Sequence, residues 1–306
     1  MLHRRNVITK LVVLSLMAAL PTLAQAEPRL RVVATLSIVG DMVAQVGGED
    51  VEVSTLVGPE GDAHVFQPSP ADARKIADAK LVFVNGLGLE GWMARLVKAS
   101  GGKAPSITVS KGVKAIREKE PAGKHAGHDH GALDPHAWQD VGNAKIYVAN
   151  IRDALVQADP EGRARYERNA GAYLEKLDAL DAEVRDTLKK IPAANRRIIT
   201  THDAFGYYSR AYGMTFIAPQ GVSTEAEASS RDVARIIRQI KAEKVPAVFL
   251  ENISDARLIT QIARETQTRI GEKVYSDSLS AAGGPAATYI DMIRHNTRAF
   301  ATALGG

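Results

Sequence analysis

The chain has 306 residues, 45% hydrophobic and 24% charged, with 39 Lys and Arg against 35 Asp and Glu for a formal charge of +4. It contains no cysteine, which excludes disulfides, thiolate metal ligands and a lipid-modified cysteine. No basic block interleaved with aromatics occurs, so no nucleic-acid partner is expected.

Residues 1–26 read as an export signal, because Arg4, Arg5 and Lys10 precede the apolar run 11–20 and Ala24-Gln25-Ala26 fits a small-residue cleavage site. The plainer alternative is a buried N-terminal helix. The apolar run is too short for a comfortable bilayer span, and no later segment is long and apolar enough to be one. Cleavage after residue 26 leaves 280 residues with 36 basic against 35 acidic side chains, a net charge of +1. The expectation is a free periplasmic protein whose mature chain is not inserted in a membrane.

A mature chain of this size predicts two domains. Strands are expected at 30–35, 51–56 and 81–85, alternating with helices at 38–46, 70–79 and 89–99, an order that implies a parallel sheet with crossover helices. Residues 160–190 carry helical periodicity with no interior proline. Their apolar stripe is Tyr166, Tyr173, Leu174, Leu177, Leu180, Val184 and Leu188, along a rod about 45 Å long. Such a stripe usually faces a core, and its place between two α/β regions suggests a stiff connector. Strands then recur at 197–201, 214–217, 247–250 and 273–275, with helices at 204–212, 230–243, 256–265 and 286–304. The expected division is an N-terminal α/β lobe at 27–140, a linking helical region at 141–194 and a C-terminal α/β lobe at 195–306.

Four residues stand out along this plan: His64 in Gly61-Asp62-Ala63-His64, His136 in Asp134-Pro135-His136-Ala137-Trp138, His202 in Thr201-His202-Asp203-Ala204, and Asp277 in Ser276-Asp277-Ser278-Leu279. Each follows a strand-like run or sits in a turn-rich segment, which suits loops at one sheet edge. Three imidazoles and one carboxylate form a nitrogen-rich set that favours Zn2+ over the oxygen-seeking Mg2+ and Ca2+. Spacing alone fits scattered loop histidines and a turn aspartate better than a shared site. A separate patch, Lys124-His125-Ala126-Gly127-His128-Asp129-His130-Gly131, reads as a loop that either captures metal weakly or is a surface linker with incidental histidines.

These motifs, together with Leu56-Val57-Gly58-Pro59-Glu60 before the first, Tyr212-Gly213 after the third and Ser223-Thr224-Glu225-Ala226-Glu227-Ala228-Ser229, resemble those of the zinc and manganese solute-binding proteins of ABC transporters, the ZnuA-like group. The resemblance runs over essentially the whole mature chain. It implies an α/β fold of two Rossmann-like lobes with central parallel sheets joined by one long backbone helix, the helical-backbone type of metal receptor. It also implies that His64, His136, His202 and Asp277 hold one transported Zn2+, that the partners are an ABC permease and a periplasmic zinc chaperone, and that the protein is a monomer without enzymatic activity. Only His125, His128 and His130 stand where many zinc-specific relatives carry a long histidine-rich loop, and Ala63 replaces a carboxylate found before the first histidine in some. The spacing and the short loop look closer to the AztC-like zinc subgroup.

Manganese-type relatives place a carboxylate where His202 stands, so imidazole there points to zinc, although ligand type does not separate Zn2+ from Cu2+ or Ni2+. Four protein ligands leave no open position for activated water, which argues for carriage over a zinc-dependent hydrolase; no H-E-x-x-H pair occurs either. A surface adhesin is a third reading, disfavoured by export without an anchor. Glu225, Glu227 and Glu251 are candidates to orient the imidazoles, or else caps and surface charges. Asp203 is expected to cap the helix after it. Trp138, Phe205, Tyr207 and Tyr208 either wall the site from water or pack between lobes, and Trp92 reads as core.

Overall fold

The computed structural model describes residues 29–117 and 133–305. The expected signal segment and the histidines at 125, 128 and 130 lie outside them.

The first lobe alternates β1 (Leu30–Leu36), α1 (Ser37–Gly47), β2 (Val51–Val57), α2 (Pro70–Asp78), β3 (Leu81–Val84), α3 (Met93–Ser100) and β4 (Ser106–Thr108). Its sheet is wholly parallel in the order β2-β1-β3-β4, with Val32 opposite both Val53 and Leu81. Near-continuous apolar runs such as Leu81-Val82-Phe83-Val84 suit strands covered on both faces. Helix α2 starts where Ser69 and Asp72 form a reciprocal capping box ahead of Pro70.

Two long helices follow, α4 (Val141–Ala158) and α5 (Arg163–Lys189), the second preceded by a 3-10 turn at Pro160–Gly162. At 27 residues α5 is a rod about 40 Å long. Its buried residues are Tyr166, Ala170, Tyr173, Leu177, Leu180, Val184 and Leu188. They recur at intervals of three and four, so one stripe faces inward along α4, α1 and α9 (Tyr289–Leu304). Since α1 belongs to the first lobe and α9 to the second, one continuous helix braces both.

The second lobe repeats the plan with β5 (Arg197–Ile199), α6 (Gly206–Tyr212), β6 (Thr215–Ile217), α7 (Ser230–Glu243), β7 (Ala247–Val248), α8 (Ala256–Thr266), β8 (Arg269–Ile270) and α9. The strand order β6-β5-β7-β8 mirrors that of the first sheet, again all parallel. The strand expected at 273–275 is instead a single bridge between Glu251 and Val274, and the fourth strand lies at Arg269–Ile270. No described helix is long and apolar enough to cross a membrane.

A four-residue cluster between the lobes

In open parallel sheets, binding groups collect beyond the carboxyl ends of the strands. His64 follows β2, His136 follows β4, His202 follows β5 and Asp277 follows β8, so the shared strand order points all four at the same interlobe seam. They converge there, each offering a ligand atom within 4.8 Å of the others, and all are buried. Two come from each lobe.

Each loop is held by hydrogen bonds from its own surroundings. The His64 backbone N–H donates to Asp62 Oδ1 at 2.9 Å, and the Trp92 indole donates to the Ala63 carbonyl at 2.9 Å. Trp92 is thus a core residue that also fixes the first loop. Before His136, Pro135 turns the chain so that Asp134 Oδ1 accepts from the His136 backbone N–H at 2.9 Å and lies 2.8 Å from its Nδ1. Gly206, at the start of α6, lies so close that a Cβ there would sit 2.5 Å from Asp134 Oδ2. Only glycine leaves that carboxylate in place.

On the second lobe Glu251 Oε1 accepts from the backbone N–H groups of Thr201, at 2.7 Å, and His202, at 2.9 Å, while its Oε2 contacts His202 Nδ1. The Asp277 loop is held from across the seam. Trp138 Nε1 and Gln139 Nε2 both donate to the Ser276 carbonyl, at 2.9 and 2.8 Å.

Carboxylates facing Nδ1 of His136 and His202 hold a proton on that nitrogen, so in the neutral imidazole each Nε2 directs its lone pair into the cluster. The spacing of the four inward atoms is informative. His64 and His202 Nε2 each lie 3.3 Å from His136 Nε2, and Asp277 oxygens lie 3.1, 3.5 and 3.3 Å from Nε2 of His64, His136 and His202. A tetrahedron with Zn–N or Zn–O bonds of about 2.0–2.1 Å has edges of about 3.3–3.4 Å. These five separations, shared between the two Asp277 oxygens, lie close to such edges, and both oxygens are buried with only the three imidazole nitrogens facing them. A buried carboxylate left in that state calls for a cation.

Protonation follows the same charges. Burial alone would depress His136, but the Asp277 charge and the hydrogen bond to Asp134 overcome it and hold the imidazole up at about 9. His202 is likewise raised against its burial, by Glu251 first and then Asp277. Burial would raise Asp277, yet His202 and His136 keep it well below the usual carboxylate range. Without metal, protons take the cation's place.

Glu251 stands behind His202, as expected of an orienting carboxylate, whereas Glu225 and Glu227 are exposed. Asp134 is the corresponding group for His136, and its place two residues ahead of that histidine, across a proline, is the signal that marks it. Helix α6 begins behind Phe205 with no side-chain cap, so Asp203 does not play the capping part expected of it. Trp138 stands edge-on to His136 at 5.4 Å between ring centroids and closes that side of the cluster. Phe205 and Tyr208 pack instead with Phe216 and Phe300, and Tyr207 donates to the Asp134 carbonyl at 3.0 Å.

Two α/β lobes braced by one helix, with a buried imidazole and carboxylate cluster at their seam, define the substrate-binding receptors of metal ABC transporters. Such receptors act outside the cytoplasm with a membrane permease and an ATPase. The chain belongs to the ZnuA family, described as zinc-uptake complex component A, periplasmic, whose pattern matches residues 32–303. It is 34% identical over 275 residues to the manganese-binding lipoprotein MntA of Halalkalibacterium halodurans, covering 90% of this chain and 88% of that one. Among solved structures, the periplasmic zinc binding protein TroA of Treponema pallidum matches with a TM-score of 0.82 at 31% identity, covering 90% of this chain and 99% of the other. A Mn-bound periplasmic metal binding protein of candidatus liberibacter asiaticus, in mutant form, matches at 0.80 and 30% with the same coverage.

Proposed function

We propose that this protein is the periplasmic receptor of a zinc ABC importer, that His64, His136, His202 and Asp277 bind one Zn2+ between the lobes, and that the ion is delivered to the membrane permease. The observation that carries this reading is the set of 3.1–3.5 Å separations among three Nε2 atoms and one carboxylate, which suits a small tetrahedral shell. Three nitrogens in four donors favour zinc over manganese, which takes more readily to oxygen. All four positions are filled by protein, so no open site is left to activate water, and the protein carries its ion without acting as an enzyme. With no cysteine to carry a lipid, the receptor is read as free in the periplasm, as a monomer, with a periplasmic zinc chaperone as its donor.

A manganese receptor is the second reading, favoured by the names of relatives such as the manganese-binding lipoprotein MntA. Elemental analysis of protein purified from its native compartment, followed by competitive titration with Zn2+, Mn2+ and Cu2+, separates the two. Zinc is expected both in the isolated protein and as the ion that displaces manganese. Manganese in the isolated protein, undisplaced by equimolar zinc, overturns the zinc assignment.

A further inference from the structure

The four cluster residues are not equally enclosed. His136, His202 and Asp277 are 0% exposed, while His64 retains 8%. Outside it opens a cleft of about 560 Å³, lined by Asp62 and Val65 from the loop that carries His64 and by Thr201, Gln220, Thr224 and Glu227 from the second lobe. Val65 is 48% exposed at its rim. The way between cluster and solvent therefore runs past His64.

That loop is tied to the other lobe at two points. At one end the Glu60 backbone N–H donates to the Leu279 carbonyl at 3.0 Å, and Glu60 holds a left-handed backbone with φ of 59°. At the other, the Thr224 hydroxyl donates to Asp62 Oδ2 at 2.6 Å. The second oxygen of the same Asp62 carboxylate accepts the His64 backbone N–H. One carboxylate thus joins the most exposed cluster residue to the opposite lobe, and moving the 223–229 segment outward removes a hydrogen bond from the group that positions His64.

We propose that Thr224 and Asp62 form a latch that sets the rate at which metal leaves past His64, with Thr224 as a positioning residue acting through Asp62. The latch rests on the reading of the four-residue cluster as a divalent-metal site. A hydrogen bond to a carboxylate contributes enough that its loss should be visible kinetically. Because the latch touches no donor atom, it acts on release and leaves stoichiometry alone.

The test uses the Zn2+-loaded full chain and follows transfer to excess chromophoric chelator by stopped flow, alongside equilibrium stoichiometry. Thr224→Val should release zinc about tenfold faster than the parent while still binding one ion per chain. Thr224→Ser, which keeps the hydroxyl, should stay within about twofold of the parent. Ser229→Ala removes the side-chain cap of α7 five residues on, so it loosens the same region without touching the latch, and should release at the parental rate. One ion per chain with unchanged release in Thr224→Val overturns the latch. So does acceleration by Thr224→Ser or Ser229→Ala equal to that of Thr224→Val. A parent chain that takes up no divalent ion overturns the metal-site reading, and the latch with it.

Discussion

The two lobes share one strand order but not one construction. In the first, β1 and β2 run seven residues each, and their side chains merge into a core that continues through α4, α5, α9 and the aromatic residues around Phe300. In the second, the strands are two or three residues long. Helices α7 and α8 pack on a separate small cluster of Ile199, Ile236, Ile240, Val245, Val248, Ile259, Ile262 and Ala263. Topology is therefore a poor guide to stiffness. The inner face of the second lobe is fused to the main core, and its outer half is a satellite with little apolar surface to hold it.

The largest effects should fall on that division. Leu177→Ala, in the buried stripe of α5, should cost about 2–5 kcal/mol of global stability in urea unfolding. Ile259→Ala deletes a similar volume from the satellite, and hydrogen exchange should show lost protection confined to α7, α8 and their strands. Equal loss of protection in β1 and β2 would erase the distinction between the regions.

At the seam the lobes are expected to count alike. His64→Ala and His202→Ala each remove a donor, and each should weaken zinc binding by more than the roughly 10–100-fold typical of an orienting residue, whereas His128→Ala should leave equilibrium affinity unchanged. A competitive chelator titration gives all three values, and a His128→Ala loss as large as that of His202→Ala would contradict the four-residue site.

The orienting carboxylates sharpen the comparison further. Asp134→Asn and Glu251→Gln should each cost about 10–100-fold in affinity. The larger loss is expected for Glu251→Gln, because Glu251 also anchors two backbone N–H groups in the lobe with the smaller core. Isothermal titration of the two variants ranks them, and the reverse order would place the more demanding support in the first lobe.

A further change concerns pH. His136 is raised from 6.5 to about 9 in the metal-free protein, so the stabilisation from its protonated form is complete below pH 6.5 and is lost as pH rises through about 9. Thermal melts in chelator should show stability falling across that window by at most about 1.4 kcal/mol per pH unit for each proton released. Metal affinity should rise over the same interval as proton competition fades. Flat metal-free melting from pH 6.5 to 9 would remove the buried imidazolium.

Much of this was legible in the sequence where local signals agree. Helix α7 occupies the expected 230–243, since Ser229 caps it and its apolar residues keep helical spacing. The helix expected from 89 begins only at Met93, because Gly86, Leu87 and Gly88 take positive φ and the Glu90 carboxylate accepts the Asn85 and Gly86 N–H groups, making a turn of that stretch. β4 carries no sequence signal because its three residues are at most partly buried and show no periodicity, and α4 reads as one with the linking helical region. Val274 and Tyr275 drew the strand expectation to 273–275, although pairing with β7 occurs at Arg269 and Ile270. Gly271 follows them with the Phe249 ring where a Cβ would lie, a close approach that only the fold reveals. The donor set and the carboxylate Glu251 behind His202 are readable from motif and resemblance, whereas Asp134, which supports His136, carries no signal beyond its place two residues ahead of that histidine.

The brace formed by α5 has a consequence for recognition. Its stripe is packed against α1 and α9 at once, so rotating one lobe against the other shears a single continuous row of side chains, which close-packed interiors resist. The outline that a permease meets is therefore expected to change little between the full and the empty receptor. Any difference between loaded and empty forms is then expected at the loops of the seam, and small-angle scattering should barely distinguish the two.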